Sequence, residues 1–177
     1  MVKGIIYIAA SLDGFVAREN GDLDWLMKQD TAGEDFGYDA LMASVDGLVM
    51  GRGSYKTVAG FDEWPYQKPV IVLSKSLTQH DIPARLRDKV MLSRETPSDL
   101  MQRLDTEGWK AAYIDGGLVV QSFLRDGLID EITLTHIPIL LGSGKPLFGP
   151  LNAEIDLVHV STTSYKSGLV HSHYRLI

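Results

Sequence analysis

Val49-Met50-Gly51-Arg52-Gly53-Ser54 and Tyr113-Ile114-Asp115-Gly116-Gly117-Leu118 are the two stretches whose reading decides the fold. In each, an apolar run stops at small residues and a helical pattern begins, as where a strand feeds a helix in an α/β protein. The first N–H groups of a helix have no partner inside it, and with the positive end of the helix dipole they favour a phosphate. Glycine at such a turn permits unusual backbone angles and close approach of a ligand to the main chain. Two turns of this kind suit the two phosphates of a dinucleotide. Taken singly, each reads as an ordinary turn. Neither has the glycine spacing of a Rossmann fingerprint or the Lys-Ser/Thr pair of a P-loop.

Outward from these turns, short apolar runs alternate with helical patterns. Strands are expected at residues 5–10, 47–50, 70–73, 89–92, 111–114 and 131–136, and helices at 36–44, 54–59, 99–106 and 118–125. Pro97-Ser98 is expected to cap the third helix and Gly108 to close it. Residues 157–163 and 169–177 read as a terminal hairpin across Lys166-Ser167-Gly168. Residues 13–30 read as a long loop with Trp25-Leu26 as its apolar anchor. Loops of that length in a compact domain are usually lids or binding loops. With no repeat, low-complexity tract or linker, residues 1–177 are expected to form a single domain.

The formal charge of −6 argues against a general nucleic-acid binder, because the phosphate backbone rewards clustered Lys and Arg. The chain has no cysteine, which removes disulfides, thiolate metal sites and cysteine nucleophiles. The apolar stretch at 4–10 is too short to span a membrane, and Ser11-Leu12-Asp13-Gly14 follows it as a turn rather than a cleavage site. A cytoplasmic protein is expected. His171 and His173 share a strand face without further metal ligands, so they read as surface or satisfied histidines and no metal is expected. Trp64-Pro65 reads as a packed surface loop.

Met50-Gly51-Arg52-Gly53-Ser54, Val72-Leu73-Ser74, Ile114-Asp115-Gly116-Gly117 and Leu134-Thr135-His136-Ile137 follow one another in the order and approximate spacing of dihydrofolate reductase. Ile8-Ala9-Ala10-Ser11-Leu12-Asp13-Gly14 and the run from Pro138 to Gly149 resemble more closely the reductase domain of the riboflavin-biosynthesis deaminase–reductase. This resemblance covers nearly the whole chain. It implies a dihydrofolate reductase-like three-layer α/β fold: a central mixed, mostly parallel sheet, helices on both faces and a C-terminal β-hairpin. It also implies an NADPH-dependent reductase acting on a pterin-, pyrimidine- or related small heterocyclic substrate. The alternatives are a riboflavin-pathway aminouracil reductase and a nucleotide-binding module of the same fold without turnover. No separate basic cluster is assignable to a substrate ribose phosphate, which weighs against the aminouracil reductase. A homodimer is expected by analogy.

Carried over by position, the resemblance implies that Ala10 and Ile114 flank the nicotinamide. It sets Gly51, Arg52, Gly53 and Ser54 around one side of the pyrophosphate and the adenosine phosphate, and Leu73, Ser74 and Lys75 along the adenosine. Gly116, Gly117, Leu118 and Val119 complete the cradle, residues 13–25 form the lid, and Thr135 faces the substrate. Leu118 stands where bacterial dihydrofolate reductases often have an arginine, so cofactor choice falls on Arg52 and Lys75. Asp115 replaces the first of three glycines, either as a cap on its own turn or as in the riboflavin-type reductases. Gap-free counting back from Gly51 gives Asp35 as the catalytic acid, with Glu34 and Asp39 close by. The competing reading makes all three solvated charges at a helix N-terminus.

Overall fold

Strands with apolar side chains on both faces need cover on both faces. Gly47–Gly51 (β3), Val70–Leu73 (β4) and Ala111–Asp115 (β6) are of this kind, buried along nearly their whole length. The computed structural model describes residues 1–31 and 33–177. It joins these strands to Lys3–Ser11 (β1), Val90–Ser93 (β5), Glu131–Ile137 (β7), Leu157–Ser164 (β9) and Val170–Leu176 (β10) in one sheet. The order is β5-β4-β3-β6-β1-β7-β10-β9. The first six strands are parallel, while β10 runs antiparallel to both β7 and β9.

Alternation sends odd and even positions to different layers. Leu48, Met50, Val70, Val72 and Tyr113 pack with Leu41 of Tyr38–Ser44 (α2) and Tyr55 of Arg52–Ala59 (α3). Val49, Ile71, Ala112, Ile114, Ile6 and Ala10 pack on the other face with Leu100 and Leu104 of Pro97–Thr106 (α4). Val120 and Phe123 of Gly117–Arg125 (α5) join them there. The result is a three-layer sandwich whose parallel strands all end on one edge.

Several boundaries differ from the sequence reading. Residues 13–30 are not loop throughout: Phe15–Ala17 (β2) pairs antiparallel with Lys145–Pro146 (β8), and Asp24–Met27 forms a single helical turn (α1). Trp25 is fully buried there with Ile137 and Leu169, as an apolar anchor should be. The cap of α4 is Thr96, whose Oγ1 accepts a hydrogen bond from the Asp99 N–H at 3.2 Å. Pro97 is instead the first helical residue, where a missing N–H costs nothing. The helix expected at 36–44 starts at Tyr38, behind Gly37 in the left-handed region. Those expected at 54–59 and 118–125 start earlier, at Arg52 and Gly117.

All eight residues of β9 are exposed, and β9 closes the sheet on one side. Among the described residues, no helix is long and apolar enough to cross a membrane.

Candidate functional site at the carboxyl edge of the sheet

Three helices illustrate two ways of starting. Thr96 caps α4 with its side chain, but α3 and α5 are capped by Gly51 and Gly116, which have no side chain to offer. Their first N–H groups are therefore left for another acceptor. β3 and β6 are neighbours with Met50 opposite Asp115, so the two helix starts lie side by side. A Cβ placed on Gly116 would lie 2.5 Å from Ser54 Oγ, and Gly116 has φ +89°. Gly116 is thus required twice over, by backbone angle and by contact. A Cβ on Gly53 would meet nothing within 4 Å, so this glycine faces open space. Gly117 differs again: its Cβ would press on the Pro146 carbonyl oxygen at 2.7 Å.

Beside α3, Arg52 donates from Nη1 to Ser76 Oγ at 3.2 Å, and Ser74 Oγ accepts from the Leu77 N–H at 3.1 Å. Lys75 is exposed in the same turn, and Leu73 is half-buried before it. Ser76 was not anticipated from sequence, although Ser74-Lys75-Ser76 carries two hydroxyls and a cation within three residues. Ala10 and Ile114 are buried beneath α5, so they offer only main-chain groups to a ligand. Val119 is buried against Gly51, and Leu118 points outward with 82% exposure.

A different chemistry occupies the α2/α3 face of the same edge. Strand register aligns Ala9 with Thr135 and Thr135 with His171, and Asp115 follows Ile114, the last residue of β6 paired with β1. Asp115 keeps some solvent access yet sits deep among aromatic rings. Burial pushes its carboxyl above the ordinary carboxylate range, against hydrogen bonds from Ser54, the Gly116 N–H and Tyr113. Tyr113 OH donates to the Tyr7 carbonyl at 2.8 Å and lies 3.4 Å from Asp115 Oδ1. The Tyr7 ring stands 6.1 Å from Tyr38 and 5.6 Å from His171, and burial pushes its phenol up to about 12. Thr135 Oγ1 and His171 Nδ1 are 2.8 Å apart. Burial and His173 lower the His171 pKa, which favours the neutral ring near pH 7.

Asp35 lies on the exposed side of this row. Its Oδ1 accepts from the Gly37 N–H at 2.7 Å, and its carbonyl accepts from Tyr165 OH at 2.9 Å. Glu34 accepts from the Ser167 N–H at 3.2 Å, and Asp39 is exposed in the first turn of α2. Sequence reasoning underrated Asp115 and missed Tyr7, Tyr38 and Tyr66. Asp115 ends β6 and Tyr7 lies within β1, whereas Tyr38 opens α2 and Tyr66 sits in the loop before β4, so no single sequence pattern joins them. Among the described residues, no group of three or more His, Asp or Glu is arranged to hold a metal.

The segment expected to form a lid is tied down at Asp13. Asp13 accepts from Ser11 Oγ at 2.6 Å and from the N–H groups of Leu141 and Gly142 at 3.1 and 2.7 Å. Leu147 N–H donates to the Gly14 carbonyl at 2.9 Å. Two open depressions lie elsewhere, one along Lys89–Leu92 and Trp109, the other between Leu124–Asp130 and residues 151–156. Neither includes a glycine turn or the aromatic row. The candidate site is therefore assigned on the chemistry of the carboxyl edge.

This arrangement defines a dihydrofolate reductase-like fold. An Enterococcus faecalis dihydrofolate reductase, solved with NADP(H), superposes with a TM-score of 0.65 at 17% identity, covering 99% of this chain and 96% of its own. Residues 2–171 match the RibD C-terminal domain, and the chain belongs to that family, which is of reductase type. A Shewanella sp. PV-4 protein named for riboflavin biosynthesis is 41% identical over 99% of both chains, with a TM-score of 0.92. The uncharacterised protein YwjB of Bacillus subtilis is 35% identical over 97% of both.

Proposed function

We propose that the chain is a cytoplasmic NADPH-dependent reductase that delivers a hydride to a C=N bond of a small heterocycle. The observation carrying this reading is the pair of abutting, glycine-capped helix starts, one of them flanked by Arg52, Ser74, Lys75 and Ser76. In this reading the N–H groups of residues 52–54 and 117–119 hold the pyrophosphate, and Arg52 and Lys75 hold the ribose 2′-phosphate. Main-chain groups of Ala10 and Ile114 border the nicotinamide, and Leu73 borders the adenosine.

Bound there, NADPH supplies the hydride. The reduced ring nitrogen also needs a proton, and Asp115 rather than Asp35 is the acid we assign to it. Its raised pKa keeps a proton available closer to neutral pH, while Ser54 and Gly116 orient the carboxyl. The balance is one hydride to the ring carbon and one proton from Asp115 to the ring nitrogen. Asp115 would then be reprotonated from water, with the electron pair supplied as hydride by the bound cofactor. Thr135 and neutral His171 border the substrate. The reading is tested by titrating NADPH and NADH, then following NADPH consumption with dihydrofolate and with the aminouracil intermediate side by side. NADPH binding without consumption across a wider panel of heterocycles would leave a binding module.

We also propose that the homodimer forms through β9. Its sequence LVHVSTTS has no Lys, Arg, Asp, Glu or Pro to block an edge, and antiparallel pairing with its own copy would bring no carboxylates or ammonium groups of like sign together.

A further inference from the structure

The aromatic row beside Asp115 is unusual for what it lacks. Tyr7, Tyr38, Tyr113, Tyr165 and His171 gather at one end of one sheet face, linked by ring contacts and by hydrogen bonds to main chain and hydroxyl groups, and Tyr66 lies close enough to feel Asp115 and Tyr38. Among the described residues, no Lys or Arg forms a hydrogen bond or ion pair with any of them or with Asp115. The charged groups that act on the tyrosines are Asp115, Asp35, Asp39 and Glu34, all acidic, while His173 is the titratable neighbour that acts on His171. The cations near the site stand on its other flank, with Arg52 turned to Ser76 and Lys75 beside it.

We infer that the aromatic row takes a planar heterocycle that is neutral or basic and carries no phosphate or carboxylate. This deepens the proposed function and depends on it only in assigning Arg52 and the two helix starts to the dinucleotide. An anionic tail brought here would lose water without gaining a cation, and would face carboxylates of its own sign. Tyrosine faces present the negative side of their quadrupole, which suits a positively charged ring. Asp115 can donate to a ring nitrogen when protonated and accept from an amino group when ionised. A phosphoribosyl or glutamyl tail therefore has no partner in this half of the site.

A matched series of rings tests the inference: quinoline, 4-aminoquinoline (a cation at pH 7) and quinoline-4-carboxylate. Each is titrated calorimetrically into the intact protein, with and without saturating NADPH. The expected result is that 4-aminoquinoline binds at least 100-fold more tightly than the carboxylate, with quinoline between them. Tyr38→Lys, at the exposed end of the row, should strengthen carboxylate binding at least tenfold. A carboxylate bound as tightly as the amine, no binding of the amine, or a Tyr38→Lys protein without the gain would each overturn the inference. Failure of the proposed function reads differently, as absence of NADPH binding while the order among the quinolines persists.

Discussion

The Asp115 carboxyl accepts a hydrogen bond from Ser54, so the acid that ends β6 is tethered to the first turn of α3. Those two elements also supply the two glycine turns. The proposed proton source and the proposed phosphate cradle therefore share one support, and a change that breaks this hydrogen bond should be felt by both.

Asp115→Asn keeps the shape and the acceptor for Ser54 but removes the acidic carboxyl proton. Turnover on any accepted substrate should fall about 100-fold, or about 2.7 kcal/mol of transition-state stabilisation, with NADPH affinity little changed. Stability should move the other way. A carboxyl with a raised folded pKa favours the folded state below its unfolded pKa, and that contribution is lost as pH rises through the folded value. Asp115→Asn should therefore raise the melting temperature more at pH 8 than at pH 4, as differential scanning fluorimetry would read. A rate within threefold of wild type removes Asp115 from the proton path, and Asp35→Asn is the variant to measure next.

Gly53 separates ligand approach from folding. It lies inside α3 with open space beyond it, so Gly53→Ala should stabilise the free protein by about 0.5–1 kcal/mol. The same methyl group should weaken NADPH at least tenfold. Gly117→Val cannot make this separation, because its side chain would press on the Pro146 carbonyl and lower stability as well. Unchanged NADPH affinity in Gly53→Ala would remove α3 from the cradle.

Arg52 should set cofactor choice. Wild-type protein is expected to bind NADPH at least tenfold more tightly than NADH, and Arg52→Ala should narrow that ratio with little effect on NADH. Fluorescence titration of both cofactors decides it, and equal wild-type affinities would defeat the assignment.

Thr96 offers a control remote from the chemistry. Thr96→Ala removes the cap of α4 and should cost about 1 kcal/mol in urea unfolding. NADPH affinity should not change.

Val160, half-exposed in β9, probes assembly. Light scattering should give twice the chain mass for wild type and the single-chain mass for Val160→Lys. A wild-type monomer would end the dimer proposal.

Much of the architecture could be read from sequence because strands such as β3, β4 and β6 are apolar on both faces and bounded by glycine. The resemblance carried the rest of the topology. What escaped was set by contacts far apart in the chain. β2 is three residues long and exists because Lys145 and Pro146 pair with it. Asp115 read as a turn residue because nothing local reveals that Tyr38 and Tyr66 lie near it. Asp35 was reached by counting, and counting cannot see that its carboxylate turns back to the Gly37 N–H. Thr96 was within reach: Thr followed by Pro and then Asp99 is a cap with proline at the first helical position.

The clamp between Asp13 and the N–H groups of Leu141 and Gly142 joins positions 128 and 129 residues apart. During synthesis, β1 and both glycine turns leave the ribosome well before the segment that gives residues 13–17 their shape. Contacts of such long sequence separation are slow to form, because loop closure must precede the interactions that reward it. The nascent protein can thus begin to pair its parallel strands while residues 13–17 have nothing to hold, and in the proposed reading competence to bind arrives only when the stretch after β7 has been made.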